Sequence, residues 1–123
     1  MRIFLTKWMA RFSRQENLAH KSLRESIARA ERGLIDADLG GGLIKQRVAR
    51  SGKGRSGGYR TIIAYRRGIR AVLLLSFSKS ERENIGPDDL TELRKIGSNW
   101  LSTTPQKIAK AIEEGILQEV EID

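Results

Sequence analysis

The sequence predicts a single α+β domain: helices first, then a three-stranded antiparallel meander, then further helices. Three observations predict it. Apolar residues recur at helical spacing as far as Leu34. From Leu43 they give way to dense runs of Ile, Val, Leu and Tyr broken by glycine, and after Pro87 helical spacing returns. A chain of 123 residues supports one hydrophobic core and is too short for two ordinary ones, so residues 1–123 form one domain.

Residues 3–5, Ile-Phe-Leu, are a short apolar stretch suited to a first strand. Trp8 and Phe12 stand four apart, which puts both rings on one helix face and predicts core packing for them. Asn17, Leu18 and Ser22 mark the start of a second helix. Ser22 and Glu25 have capping-box spacing, Leu23, Ile27, Ala30 and Leu34 form an apolar stripe, and Gly33 suits a helix stop. Strands are expected over 43–50, 59–66 and 70–77, with Arg67 and Gly68 at a tight turn that glycine's access to positive φ permits. Residues 71–75 are apolar on both parities, which predicts a central strand covered on both faces. Pro87 at a first helical position, Asp88 and Asp89 in the first turn, and Arg94 and Lys95 further on match the helix dipole. Leu90, Leu93, Ile96 and Trp100 are the expected buried face. Thr104 and Pro105 open a last helix, Gly115 ends it, and residues 117–122 alternate loosely like a strand.

Charge is distributed unevenly. Between Leu39 and Ser80 lie ten Lys or Arg residues, no Asp or Glu, and eight of the twelve glycines. The 13 basic and 15 acidic residues elsewhere net −2, so a near-neutral scaffold surrounds one positive block. Such a block repels itself unless it meets a polyanion, of which nucleic acid is the commonest. The acidic end (Glu113, Glu114, Glu119, Glu121, Asp123) is expected as a solvated tail. No apolar run approaches the ~18 residues of a membrane helix. The first residues lack a signal peptide's apolar core, so a cytoplasmic protein without membrane contact is expected. With no cysteine and a single histidine, His20, there is no thiolate or histidine metal site, and neither metal nor small-molecule cofactor is expected.

Strand alternation decides which cations face the same way. Lys45 and Arg47 share a face of the first meander strand. Arg60 opens the second and Lys79 lies just past the third, so the two converge beside the loop at 51–58. The expected patch has Lys53, Arg55, Arg60 and Lys79 as its rim, and the loop's four glycines let backbone N–H groups approach a phosphate. Gly52, Gly54 and Gly57 spell G-x-G-x-x-G, but strand rather than helix follows, which excludes the dinucleotide fingerprint. If the polyanion is RNA, its 2′-hydroxyl can attack its own phosphate without a metal when one group takes the proton, another protonates the leaving oxygen and cations neutralise the charge. Arg55 and Arg60 suit the last role, Lys53 or Lys79 the proton transfers. Tyr59 or Tyr65 offers a ring for base stacking, with ordinary strand packing as the alternative. His20 lies on the second helix, away from the patch, and reads as a surface or cap residue.

Four segments carry a resemblance: Asp36-Ala37-Asp38-Leu39-Gly40-Gly41-Gly42, Lys45-Gln46-Arg47-Val48-Ala49-Arg50, Gly52-Lys53-Gly54-Arg55-Ser56-Gly57-Gly58-Tyr59-Arg60, and Phe77-Ser78-Lys79-Ser80-Glu81-Arg82-Glu83-Asn84-Ile85. Together they resemble the RelE/HigB group of the RelE/ParE superfamily, bacterial toxins of type II toxin–antitoxin pairs. The resemblance runs from Phe4 to about Val120. It implies two N-terminal helices packed on a small antiparallel sheet, with C-terminal helices. It also implies a metal-independent endoribonuclease that cleaves mRNA on the translating ribosome, and a cognate antitoxin that inhibits it. Lys53, Arg55, Arg60 and Lys79 are the implied catalytic set. Lys45, Arg47, Arg50 and Tyr59 are the expected RNA contacts. Arg55 departs from the lysine expected of close relatives, and a guanidinium cannot act as a base. Proton transfer then falls on Lys53, Lys79, a tyrosine or the ribosomal RNA. The alternatives are a toxin of this fold that binds a protein such as DNA gyrase, and a non-catalytic nucleic-acid-binding relative.

Overall fold

Four helices and six strands make up the described part of this computed structural model, residues 1–50, 54–79 and 85–121, the first three of the middle span as backbone alone. In chain order they are β1 (Arg2–Thr6), α1 (Lys7–Gln15), α2 (His20–Glu31), β2 (Ala37–Gly40), β3 (Leu43–Arg50), β4 (Gly54–Arg66), β5 (Arg70–Ser78), α3 (Pro87–Ser102), α4 (Pro105–Glu113) and β6 (Leu117–Glu119). The expected α+β class holds. The meander β3–β4–β5 is the middle of a larger sheet ordered β2-β3-β4-β5-β1-β6. β1 enters parallel to β5, with Phe4 across from Val72, and β6 runs antiparallel to β1. Residues 71–74 are 0 to 4% exposed, because β5 has strands on both sides and helices on both faces. Among the described residues no helix is long and apolar enough to cross a membrane.

The helices divide between the two faces. α1 and α2 cover one, where Met9, Leu23 and Ile27 pack on Ile44, Val48 and Ile63. α3 and α4 cover the other, where Leu93, Leu101 and Ile108 meet Leu43, Ile62 and Phe77. Thr6 ties α1 to the sheet: its hydroxyl accepts from the Met9 N–H (3.1 Å) and donates to the Leu74 carbonyl (2.7 Å).

Four local expectations are corrected. α2 begins at His20 on an Ala19 cap with no side-chain bond, so Ser22 lies inside the helix. The left-handed turn at Asn17 (φ 54°) and the burial of Leu18 (7% exposed) start the helix ahead of the hydroxyl. Leu34 is 56% exposed because α2 has already ended and Gly33 (φ 83°) has turned the chain away. Trp8 stacks on Phe12 (centroids 5.3 Å apart) yet is 44% exposed, on the outer side of the pair. On α3 the inward line is Leu93, Gly97 and Leu101, leaving Ile96 43% exposed. Gly97 decides that line: a Cβ there would come within 2.8 Å of Leu43 Cδ2, so the missing side chain is what lets the helix sit so close to β3.

The β4–β5 turn is held by the end of α2. The Gly68 N–H donates to both Glu31 carboxylate oxygens (3.0 and 3.2 Å), and the Tyr65 hydroxyl donates to the same carboxylate. Burial, then the bond to Glu31, pushes the Tyr65 phenol up to about 12, while the Tyr65 hydrogen bond holds Glu31 below the usual carboxylate range. At the far edge of the sheet Arg2 and Glu119 form a forked pair (2.8 and 2.9 Å). Glu119 of the acidic end is therefore held against β1, while Glu113 closes α4; Ile122 and Asp123 lie outside the described residues.

Gly58→Ala would put a Cβ 2.0 Å from the Val48 carbonyl oxygen, a backbone atom that cannot swing aside. It should cost about 2–3 kcal/mol by urea unfolding. Gly97→Ala meets the mobile end of Leu43 at 2.8 Å and the Ala64 Cβ at 3.1 Å, both side-chain atoms, gains helix propensity, and should cost less. In a spectrophotometric titration Tyr65 should ionise near pH 12, and nearer its ordinary value in Glu31→Gln. A raised folded value makes this contribution to stability complete below the unfolded phenol's pKa and lost as pH rises through about 12. Glu31 acts with the opposite sign: its depressed value contributes stability above the unfolded carboxylate's pKa, lost as pH falls through the folded one.

Candidate functional site

Alternation along β3 and β4 builds the site. Directly paired residues share a face, and the register sets Leu43 opposite Ala64, Lys45 opposite Ile62 and Arg47 opposite Arg60. Arg60 is in turn opposite Phe77 on β5. This is the face that α3 and α4 cover, but of these paired residues their apolar cluster takes in Leu43, Ile62, Ala64 and Phe77 and leaves out Lys45, Arg47 and Arg60. Beyond those residues the face opens into a cleft of about 230 Å³ lined by Asp36, Ala37, Lys45, Arg47, Arg60 and Lys79. The opposite face at the same level is closed: Gln46 and Thr61 are 0% and Ser76 3% exposed beneath α1 and α2.

Four cations thus converge with one carboxylate beside them. Among the described residues no ion pair involves Arg47, Arg60 or Lys79. Among the described residues Arg60 reaches its own strand, donating to the Gly58 carbonyl at 3.3 Å. Two like charges about 6 Å apart repel by about 0.7 kcal/mol in water and about 3 kcal/mol at an effective dielectric of 20. A phosphate between Arg47 and Arg60 would turn that repulsion into attraction.

A buried polar network holds the floor and one wall. Arg29 of α2, 3% exposed, donates to Glu25 (2.9 Å), to Asp36 Oδ2 (3.3 Å) and to the Arg47 carbonyl. The same Asp36 oxygen accepts from the Arg47 N–H at 2.7 Å. Gln46, fully buried, accepts from the Asp36 N–H (2.7 Å) and donates to the carbonyls of Ser26 (2.9 Å) and Leu34 (3.1 Å). α2, the loop before β2 and β3 are therefore joined where Arg47 emerges.

The residues expected from sequence divide three ways. Lys45, Arg47, Arg60 and Lys79 come together in the cleft. Lys53 and the Arg55 side chain lie outside the described residues, although the backbone of Arg55 belongs to β4. Arg50 and Tyr59 are placed elsewhere: Tyr59 is 3% exposed, edge-on to Phe12 (5.0 Å) with its hydroxyl donating to Glu16, and Arg50 lies over its ring at 4.9 Å. Both stand on the α1–α2 side, because they have the parity of Val48 rather than Arg47, so Tyr59 is a packing residue whose ring is not presented to the cleft. Tyr65 is likewise engaged with Glu31. His20 opens α2 and accepts from the Glu121 N–H (3.3 Å), as a surface residue would.

Asp36 and Arg29 were missed. Asp36 falls just outside the acid-free window. One signal pointed to the network: Gln46 is a polar residue at an inward position between Ile44 and Val48.

A family model described as the RelE toxin of the RelE/RelB toxin–antitoxin system matches residues 1–120. The chain belongs to this family. No curated protein matches it. Membership makes it a toxin of a toxin–antitoxin system, for which the family implies a cognate antitoxin as partner. In this RelE-family chain, Gln46→Leu would strand the Asp36 N–H, the buried Ser26 carbonyl and the partly buried Leu34 carbonyl. It should cost about 2–4 kcal/mol, read as a lower urea midpoint at unchanged m-value.

Proposed function

We propose that this RelE-family toxin is an endoribonuclease that cleaves mRNA on the translating ribosome, without a metal ion, and so inhibits translation. The observation that carries the reading is the open cleft in which Lys45, Arg47, Arg60 and Lys79 converge. A protein target does not require so many phosphate-type contacts on one small surface, whereas a phosphodiester passing through a transition state of added negative charge does.

The reaction needs the 2′-oxygen deprotonated, the phosphorane charge neutralised and the 5′-oxygen protonated as it leaves. Arg47 and Arg60, set across from each other on neighbouring strands, suit a forked hold on the two non-bridging oxygens. Lys79, at the end of β5, is an ammonium able to protonate the departing 5′-oxygen, and Lys45 supports the adjoining phosphate. Lys53 and Arg55 precede Arg60 in the chain, and we assign them to the same polyanion contact. Arg50 and Tyr59 we assign to packing. A cleft this small admits an extended nucleotide and its phosphates rather than folded RNA. Messenger threaded through a ribosome arrives in that extended form, which agrees with what the family implies.

Controlled expression with mapping of mRNA 5′ ends tests this. The wild type should create new ends inside translated frames. The Arg60→Ala/Lys79→Ala variant should create none while still co-purifying with its antitoxin. Growth arrest without new ends would move the target to a protein and overturn the reading.

A further inference from the structure

Resting on that endoribonuclease reading, we propose that Asp36 is the catalytic base, the group that takes the proton from the attacking 2′-hydroxyl. Among the described residues that line the cleft it is the one carboxylate, beside four cations. The four cations pose a chemical problem that Asp36 resolves. A guanidinium has no site to accept a proton, and an ammonium at neutral pH already carries its full complement. A carboxylate at neutral pH is in its proton-accepting form.

The geometry separates the two carboxylate oxygens. Oδ2 is held by the Arg47 N–H at 2.7 Å and the Arg29 guanidinium at 3.3 Å, and no other partner among the described residues claims the group. Oδ1 is therefore left to accept. The side chain is 29% exposed, enough to meet a substrate while its position is fixed from behind. Arg29, with its side chain 4% exposed, is the positioning residue: it grips both the carboxylate and the Arg47 carbonyl, so base and phosphate clamp keep one spacing. The Asp36 N–H, donated to Gln46, fixes the backbone of the same residue.

The step balances within the chain. The 2′-O–H proton passes to Asp36 Oδ1 as O2′ bonds to phosphorus. The P–O5′ bond breaks and O5′ takes a proton from the Lys79 ammonium. The products are a 2′,3′-cyclic phosphate and a 5′-hydroxyl, and solvent exchange returns both side chains to their starting states.

Among the described residues, the charged groups that face Asp36 are Arg29 of α2, with Glu25 behind it, Lys45 and Arg47 of β3, Arg60 of β4 and Lys79 after β5. The test is single-turnover cleavage by the purified toxin on ribosomes programmed with a defined mRNA, between about pH 6 and pH 8.5. Binding to the same mRNA carrying a 2′-deoxy nucleotide at the cut is measured in parallel. With a carboxylate as the base, the wild-type rate should be flat across this range. Asp36→Asn should bind the trapped message within about threefold of wild type. Its cleavage should be slower by about 10²–10⁴-fold and should rise about tenfold per pH unit, because hydroxide must then take the proton. Asp36→Glu should recover part of the rate and the flat profile.

A wild-type rate that itself climbs tenfold per pH unit would assign the base to an ammonium and overturn the proposal, whether or not the variants fold. So would an Asp36→Asn rate that is reduced but flat, which would leave Asp36 only a holder of Arg47. Binding without any wild-type cleavage would overturn the endoribonuclease reading itself, and this proposal with it.

Discussion

Arg47 stands directly across from Arg60 because β3 and β4 pair in one register, and much of the molecule's chemistry depends on that register. A slip of one residue would turn Lys45 and Arg47 toward α2 and bring Gln46 and Val48 out into the cleft. The close approach of Gly58 to the Val48 carbonyl and the buried bonds of Gln46 both resist such a slip. Like charges set opposite each other weaken a strand pair, and here the hydrophobic contacts of Leu43, Ile62, Ala64 and Phe77 further along the same face offset that cost.

The two faces of the sheet are covered unequally, and the inequality makes the cleft. α1 and α2 seal their face at the level of Arg47, as the burial of Gln46, Thr61 and Ser76 shows. On the other face Gly97 draws α3 down onto Leu43 and Ala64, and the four cations lie beyond that contact. The scaffold leaves one end of one face uncovered, and that end carries Lys45, Arg47, Arg60 and Lys79. In the proposed reaction this placement has a direct use: fixed cations need no reorganisation when charge develops on the phosphate. The Arg29–Asp36 network extends the same rigidity to the carboxylate beside them.

Much of this was legible in the sequence. Alternation alone brought Lys45 and Arg47 to one face and Arg60 beside Lys79, because period-two patterning survives into the sheet wherever one side is buried. The helix-end chemistry of Pro87, Asp88, Asp89, Thr104 and Gly115 also translated directly into structure. What was not legible depended on contacts far apart in the chain. The parallel pairing of β1 with β5 joins residues about seventy apart and leaves no local mark. Tyr59 was expected as an RNA contact, with strand packing as the alternative, and its parity decides for packing, under Arg50 and against Phe12. Arg29 carries no local mark of its burial, which is set by Asp36 and the Arg47 carbonyl that only the folded chain brings near. Ser22 and Ile96 were misplaced because the burial of Leu18 and the closeness allowed by Gly97 outweighed local spacing.

The chemistry of the cut ends tests the proposed function most directly. Purified toxin would be added to ribosomes carrying a defined message, and the two new termini identified. Attack by the neighbouring 2′-hydroxyl leaves a 2′,3′-cyclic phosphate on one fragment and a 5′-hydroxyl on the other, and a 2′-deoxy nucleotide at the cut abolishes both; this is the expected result. A 5′-phosphate with a 3′-hydroxyl, or cleavage indifferent to the 2′-deoxy substitution, would mean that water is the nucleophile and would contradict it.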